Sequence, residues 1–129
     1  MNHLSKLALV ITLLIAADSV LARELIREFR GSRTTTTAQF EVRAPWILDW
    51  RVSGEYPGTM AVEVSLVEAG TGVYQGAVLR TKWRGNGVRL FDQSGTYQFK
   101  VISNLADWTL KVEQLTRAEA QEYTAKTRD

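Results

Sequence analysis

The chemistry open to this chain is narrowed first by what it lacks. Its single histidine is His3, and it contains no cysteine. A serine or cysteine nucleophile of the usual kind needs an imidazole within hydrogen-bond reach, and thiolate or multi-histidine zinc sites need those same two residue types. If the first segment is removed, as argued below, neither type remains. Catalysis would then fall to carboxylates, lysine or tyrosine alone. The acids on or beside expected strands are Asp49, Glu63, Glu68 and Asp92. Two of them would make a glycosidase, but a catalytic pair needs a pocket that pushes the two pKa values apart, and no two of these acids share a distinctive setting. The sequence favours a protein that is not an enzyme, and it gives no reason to expect a cofactor or a metal.

Positive charge has a more suggestive arrangement. In residues 79–91, Leu79, Thr81 and Trp83 alternate with Arg80, Lys82 and Arg84, and Asn86-Gly87 is the strongest short hairpin signal in the chain. A two-residue turn there sets Arg84 opposite Arg89, Lys82 opposite Phe91, and Trp83 opposite Leu90 as a buried pair. Opposed residues point to one side of a sheet, so Arg80, Lys82, Arg84, Arg89 and Phe91 are expected to share a ligand-binding face. Guanidinium forks match carboxylate and phosphate, and Phe91 would pack on the apolar part of a ligand. The partner would be an anion: a lipid headgroup, an acidic polysaccharide or an acidic protein surface. The plainer reading is that nearby acids, water and salt screen the pair of arginines.

The elements that must carry these residues begin after an exported leader. Lys6 supplies a positive start, residues 7–17 are apolar apart from Thr12, and Val20-Leu21-Ala22 is a small-residue cleavage site. The run is short for a bilayer span, which takes about 20 apolar residues, and Asp18 interrupts it. Cleavage after Ala22 is expected, giving a periplasmic or secreted protein; retention as an anchor is the alternative. Removing Lys6 and Asp18 from 16 basic and 14 acidic residues leaves 15 and 13, a net charge of +2. That is too mild to imply nucleic acid.

Residues 23–33 read as an N-terminal lead-in, with Leu25, Ile26 and Phe29 at helical spacing. Thr34 to Thr37 read as the start of an edge strand rather than a glycosylated tract. Period-two alternation then marks Ala38, Phe40 and Val42; Trp46, Leu48, Trp50 and Val52; and Met60, Val62, Val64 and Leu66. Trp46 and Trp50 are expected in the core rather than on a sugar platform. Pro57-Gly58 signals a type II turn and Gly70-Thr71-Gly72 a tight connection. Val78 and Leu79 are adjacent and apolar, so a bulge or a change of sheet is expected there. The clearest pattern is Gly95 to Leu115, where Tyr97, Phe99 and Val101, then Trp108, Leu110 and Val112, predict two strands joined as a hairpin. Thr116 and Glu119 have capping-box spacing for a short C-terminal helix.

The expected fold is all-β: a small antiparallel β-sandwich of about seven or eight strands, immunoglobulin-like or jelly-roll-like, with a short C-terminal helix. Its divisions are a signal peptide at 1–22, the lead-in at 23–33, the sandwich at 34–115 and the helix or tail at 116–129. The function expected is a non-enzymatic binding or interaction module outside the cytoplasm. The alternatives are an accessory subunit of an envelope assembly, pairing its threonine-rich strand with a partner's sheet edge, and the carboxylate-only glycosidase.

Overall fold

The computed structural model describes residues 23–127; the expected signal peptide, 1–22, lies outside them. Nine strands and one helix follow in order: β1 (Glu24–Gly31), β2 (Thr35–Thr36), β3 (Phe40–Val42), β4 (Trp46–Ser53), β5 (Ala61–Glu68), β6 (Tyr74–Thr81), β7 (Gly85–Phe91), β8 (Gly95–Asn104), β9 (Asp107–Gln114) and α1 (Arg117–Thr127). One sheet has the order β1-β9-β4-β7; the other has β2-β8-β5-β6, with β3 also paired to β8. All pairings are antiparallel. The β-sandwich expected from the sequence is therefore the fold. Counting β2 and β3 as one interrupted strand, the two sheets of four have the strand order of a jelly roll.

This order corrects two expected hairpins. β8 and β9 do not pair: β8 lies between β5 and the β2/β3 strand, while β9 lies between β1 and β4. Leu105, at φ 57°, sits between them where the chain crosses from one sheet to the other. Likewise β6 pairs with β5, β7 pairs with β4, and Asn86 and Gly87 are strand residues opposite Arg51 and Trp50. The alternation of buried residues is right in both places, because it records which face is covered and carries no information about the neighbouring strand. The connection at Gly70 to Gly72 is a true hairpin, joining β5 and β6 in one sheet.

The lead-in is also corrected. Residues 24–31 form edge strand β1 on β9, where Phe29 falls opposite Leu110 and Gly31 opposite Trp108. A register shift between Leu25 and Arg27 leaves Ile26 as an extra residue, which is how the apolar residues acquire a spacing that resembles a helix. The threonine run does begin an edge strand. It ends at Thr37, which is buried and whose hydroxyl accepts a 3.0 Å hydrogen bond from the Phe99 amide in place of a ladder carbonyl. Ala38 is exposed, and the buried alternation begins at Phe40.

Between the sheets, Met60, Val62, Val64, Phe99 and Val101 meet Trp46, Leu48, Trp108, Leu110 and Val112, all nearly or fully buried. Trp50 is half-buried against this cluster. The bulge expected near Val78 is present: Ser65 pairs with Ala77 and Val64 with Leu79, leaving Val78 over. A second irregularity leaves Gln75 over, between Tyr74 and Gly76. At the far end of the chain the capping box forms as expected. The Thr116 amide donates to Glu119 Oε1 at 2.9 Å and the Glu119 amide donates to Thr116 Oγ1 at 3.2 Å.

Candidate ligand-binding surfaces

The five basic and aromatic residues expected on one face are distributed over three places. Arg80 projects from β6 beside Glu63 of β5, and its Nη2 donates to Glu63 Oε1 at 2.7 Å. That hydrogen bond, and then the attraction of the same carboxylate, raises the Arg80 pKa above its ordinary value. Arg80 is thus already supplied with an anion. Lys82 and Arg84 lie in the connection between β6 and β7, at one end of the sandwich. Arg89 and Phe91 lie on β7 opposite Leu48 and Trp46, on the core-facing side of that strand.

The connection at 82–84 is built around Trp83. The expected burial against Leu90 does not occur; Trp83 is 62% exposed. It is nevertheless held in place. Its amide donates to Thr81 Oγ1 at 3.1 Å, and the Thr81 hydroxyl donates back to the Trp83 carbonyl at 3.2 Å. The neighbouring loop is stapled to it: the Gly58 amide donates to the Lys82 carbonyl at 2.8 Å. The turn at Pro57-Gly58 is of the expected kind, with the Thr59 amide 3.0 Å from the Tyr56 carbonyl and Gly58 at φ 88°. A Cβ on Gly58 would reach within 3.5 Å of Trp83 Cη2, so the glycine is where the indole edge rests. Tyr56, on the same loop, is 57% exposed. Lys82 and Arg84 are exposed on either side of Trp83 and have no ion-pair partner among the described residues. An exposed indole on a loop whose backbone is held, between two cations without an ion-pair partner among the described residues, can stack on a ring and hold an anion at once.

Sequence reasoning missed Trp83 and Tyr56 because it placed Trp83 in a strand. The signal available was Trp83 sitting two residues before Gly85-Asn86-Gly87, where an end of a strand is as natural as a turn within a hairpin.

The second surface is a cleft of about 290 Å³ between the unpaired edges of β6 and β7. Leu66, Val78 and Phe91 give it an apolar wall, and Arg89, Asp92 and Gln75 give it polar groups. Arg89 Nη1 donates across the opening to the carbonyls of Ala77 at 2.7 Å and Val78 at 3.2 Å. Its guanidinium lies 5.4 Å from the Phe91 ring centre. Phe91 in turn stacks on buried Trp46, with ring centres 4.1 Å apart and planes 8° from parallel.

The four acids considered for catalysis are not gathered into a pair. Asp49 and Glu63 lie on the outer faces of opposite sheets, Glu63 is engaged by Arg80, and Glu68 accepts from the Thr71 hydroxyl at 3.2 Å. Asp92 alone lines the cleft.

No protein-family model matches the chain, and no curated protein matches it in sequence. Among solved structures, the chain is similar to a carbohydrate-binding module of lichenase 5A from Cellvibrio mixtus, solved in complex with cellotriose. The similarity has 11% sequence identity and a TM-score of 0.38, over 72% of this chain and 88% of that one.

Proposed function

We propose that this chain is an exported, non-catalytic binding module that takes an acidic polysaccharide on the Lys82-Trp83-Arg84 loop. One observation carries the reading: Trp83 is 62% exposed on a loop whose backbone is held by Thr81 and Gly58, with a cation on each side that has no ion-pair partner among the described residues. Hydrogen bonds to Thr81 and Gly58 hold the loop backbone at Lys82 and Trp83, so binding would not have to order that backbone. The indole offers its face to the C–H side of a sugar ring, while Lys82 and Arg84 reach the carboxylate or sulfate groups that flank it. Export supports the same reading, since extracytoplasmic space is where such polymers occur; it rests on the leader pattern at residues 1–22.

Fluorescence titration tests the reading. With polygalacturonate, the emission of Trp83 should shift saturably, and Trp83→Ala should abolish the response. A neutral glucan and anionic vesicles are the comparison arms. A saturable response to vesicles alone would replace the polysaccharide with a lipid surface, and no response to any of the three would refute the site.

A further inference from the structure

We propose that β7 is a self-pairing edge: two copies of this chain join along it, antiparallel and centred on Val88, so that their two four-stranded sheets become one. The sandwich has four sheet edges, β1 and β7 in one sheet, β6 and the β2/β3 strand in the other. An edge presents unpaired amides and carbonyls, and folds close such edges with bulges, charges, short strands or covering groups. Three of the four are closed in these ways. β1 carries Glu24, Arg27, Glu28 and Arg30 and an irregularity at Ile26. β2 and β3 are two and three residues long, with a break between them. β6 has register shifts that leave Gln75 and Val78 over, and Arg89 Nη1 covers its Ala77 and Val78 carbonyls at 2.7 and 3.2 Å. β7 has none of these devices. Its seven residues, Gly85–Phe91, pair with β4 without a register shift, include no proline, and have no strand on their other side among the described residues. Its one charged residue, Arg89, turns away to β6.

The strand is also complementary to itself. In a two-fold antiparallel pair, residue i of one copy faces residue j of the other, and j faces i. Centred on Val88, the pair uses the whole of β7: Val88 faces the partner's Val88, Gly87 faces the partner's Arg89, Asn86 the partner's Leu90, and Gly85 the partner's Phe91. Opposed residues point to one side of a sheet. On the core-facing side both large side chains, Arg89 and Phe91, therefore fall opposite glycines, and no arginine meets an arginine. On the outer side the two Val88 side chains, each 47% exposed in a single copy, cover one another as a β-branched pair. Moving the centre by one residue pairs only 85–89 or 87–91, and the second choice sets Arg89 directly against its own copy, an unfavourable like-charge arrangement.

Sedimentation equilibrium over a range of protein concentrations tests the pairing. The protein should show a monomer–dimer equilibrium. Val88→Lys sets two ammonium groups across the two-fold axis and should weaken dimerisation about tenfold or more, with the fold unchanged by circular dichroism. Ile102→Lys, at a similarly exposed apolar residue of the other sheet, should leave the dimer intact. The chain contains no cysteine, so a single introduced one reports the register. Directly opposed residues have Cα atoms about 4.5–5.5 Å apart, within disulfide reach. Val88→Cys should therefore oxidise to a covalent dimer, and Ile102→Cys should not. Trp83→Ala should dimerise as the parent does, which separates this edge from the polysaccharide loop. A parent protein that stays monomeric at every concentration, a dimer that Val88→Lys leaves unchanged or that Ile102→Lys abolishes, or equal cross-linking of the two cysteine variants would each overturn the assignment.

Discussion

The indole of Trp50 occupies the space that a side chain on Gly87 would need. A Cβ there would come within 2.7 Å of Trp50 Cζ2, 2.8 Å of Cε2 and 2.9 Å of Nε1. The two residues face each other across β4 and β7, so Asn86-Gly87 is a strand segment shaped by a tryptophan. Gly87→Ala is expected to cost about 1–3 kcal/mol through overpacking, read as a lower urea midpoint at unchanged slope. In a two-residue turn the same change would act through backbone conformation and leave Trp50 fluorescence alone. A shift in Trp50 emission accompanying the lost stability distinguishes the two.

Trp108 is 3% exposed, donates from Nε1 to the Arg33 carbonyl at 3.3 Å and packs on Gly31. Trp108→Ala should cost about 3–5 kcal/mol, a large part of the stability of a small domain. Trp83→Ala removes an equal side chain that is already in water, and should change stability by no more than about 0.5 kcal/mol. Urea unfolding of both variants checks the contrast; equal losses would place Trp83 in the core.

Thr37 tests the break between β2 and β3. Its hydroxyl is the acceptor for the Phe99 amide, and both groups are buried. Thr37→Val keeps the shape and strands that amide, at an expected cost of about 1–3 kcal/mol. Exposed Thr36→Val should stay within about 0.5 kcal/mol. Comparable urea midpoints for the two variants would show that the hydroxyl is not needed.

These residues also show what the sequence made legible. The alternation of Tyr97, Phe99 and Val101, and of Trp108, Leu110 and Val112, names the buried faces correctly, and all six are buried. Alternation depends only on the two sides of one strand, so it survives without knowledge of the neighbour. Pairing depends on where the chain goes after each strand, and a short connection serves a hairpin or a crossing between sheets equally well. The corner at Leu105 and the one at 82–84 are of the second kind. That error moved the candidate site. Arg80, Lys82, Arg84, Arg89 and Phe91 share a face only if β6 and β7 pair. Because the strands lie in different sheets, Arg80 turns to Glu63, Arg89 bridges the sheets, and Trp83 comes out into water. The local signals at Pro57-Gly58, Val78 and Thr116–Glu119 needed no partner strand and were readable directly.

Processing is open to a direct check. Cleavage after Ala22 predicts an exported protein beginning at Arg23, just before β1. Arg23 Nη1 lies 3.5 Å from Glu113 Oε2, and its guanidinium lies 5.7 Å from the Tyr123 ring centre, so the new terminus would be tied to β9 and α1. Intact-mass measurement should give the mass of residues 23–129; a mass that retains residues 1–22 would mean a tethered protein instead.

In the proposed site, Lys82, Trp83 and Arg84 together hold an acidic polymer. Retention on heparin at rising salt measures it most directly, because each cation that neutralises a sulfate adds to the salt dependence. The parent protein should be retained and elute at a defined salt concentration, Lys82→Ser/Arg84→Ser should elute markedly earlier, and Arg80→Ser, whose charge is already matched by Glu63, should elute close to the parent. Elution of the double variant together with the parent, with its fold intact by circular dichroism, would show that Lys82 and Arg84 do not hold the polymer.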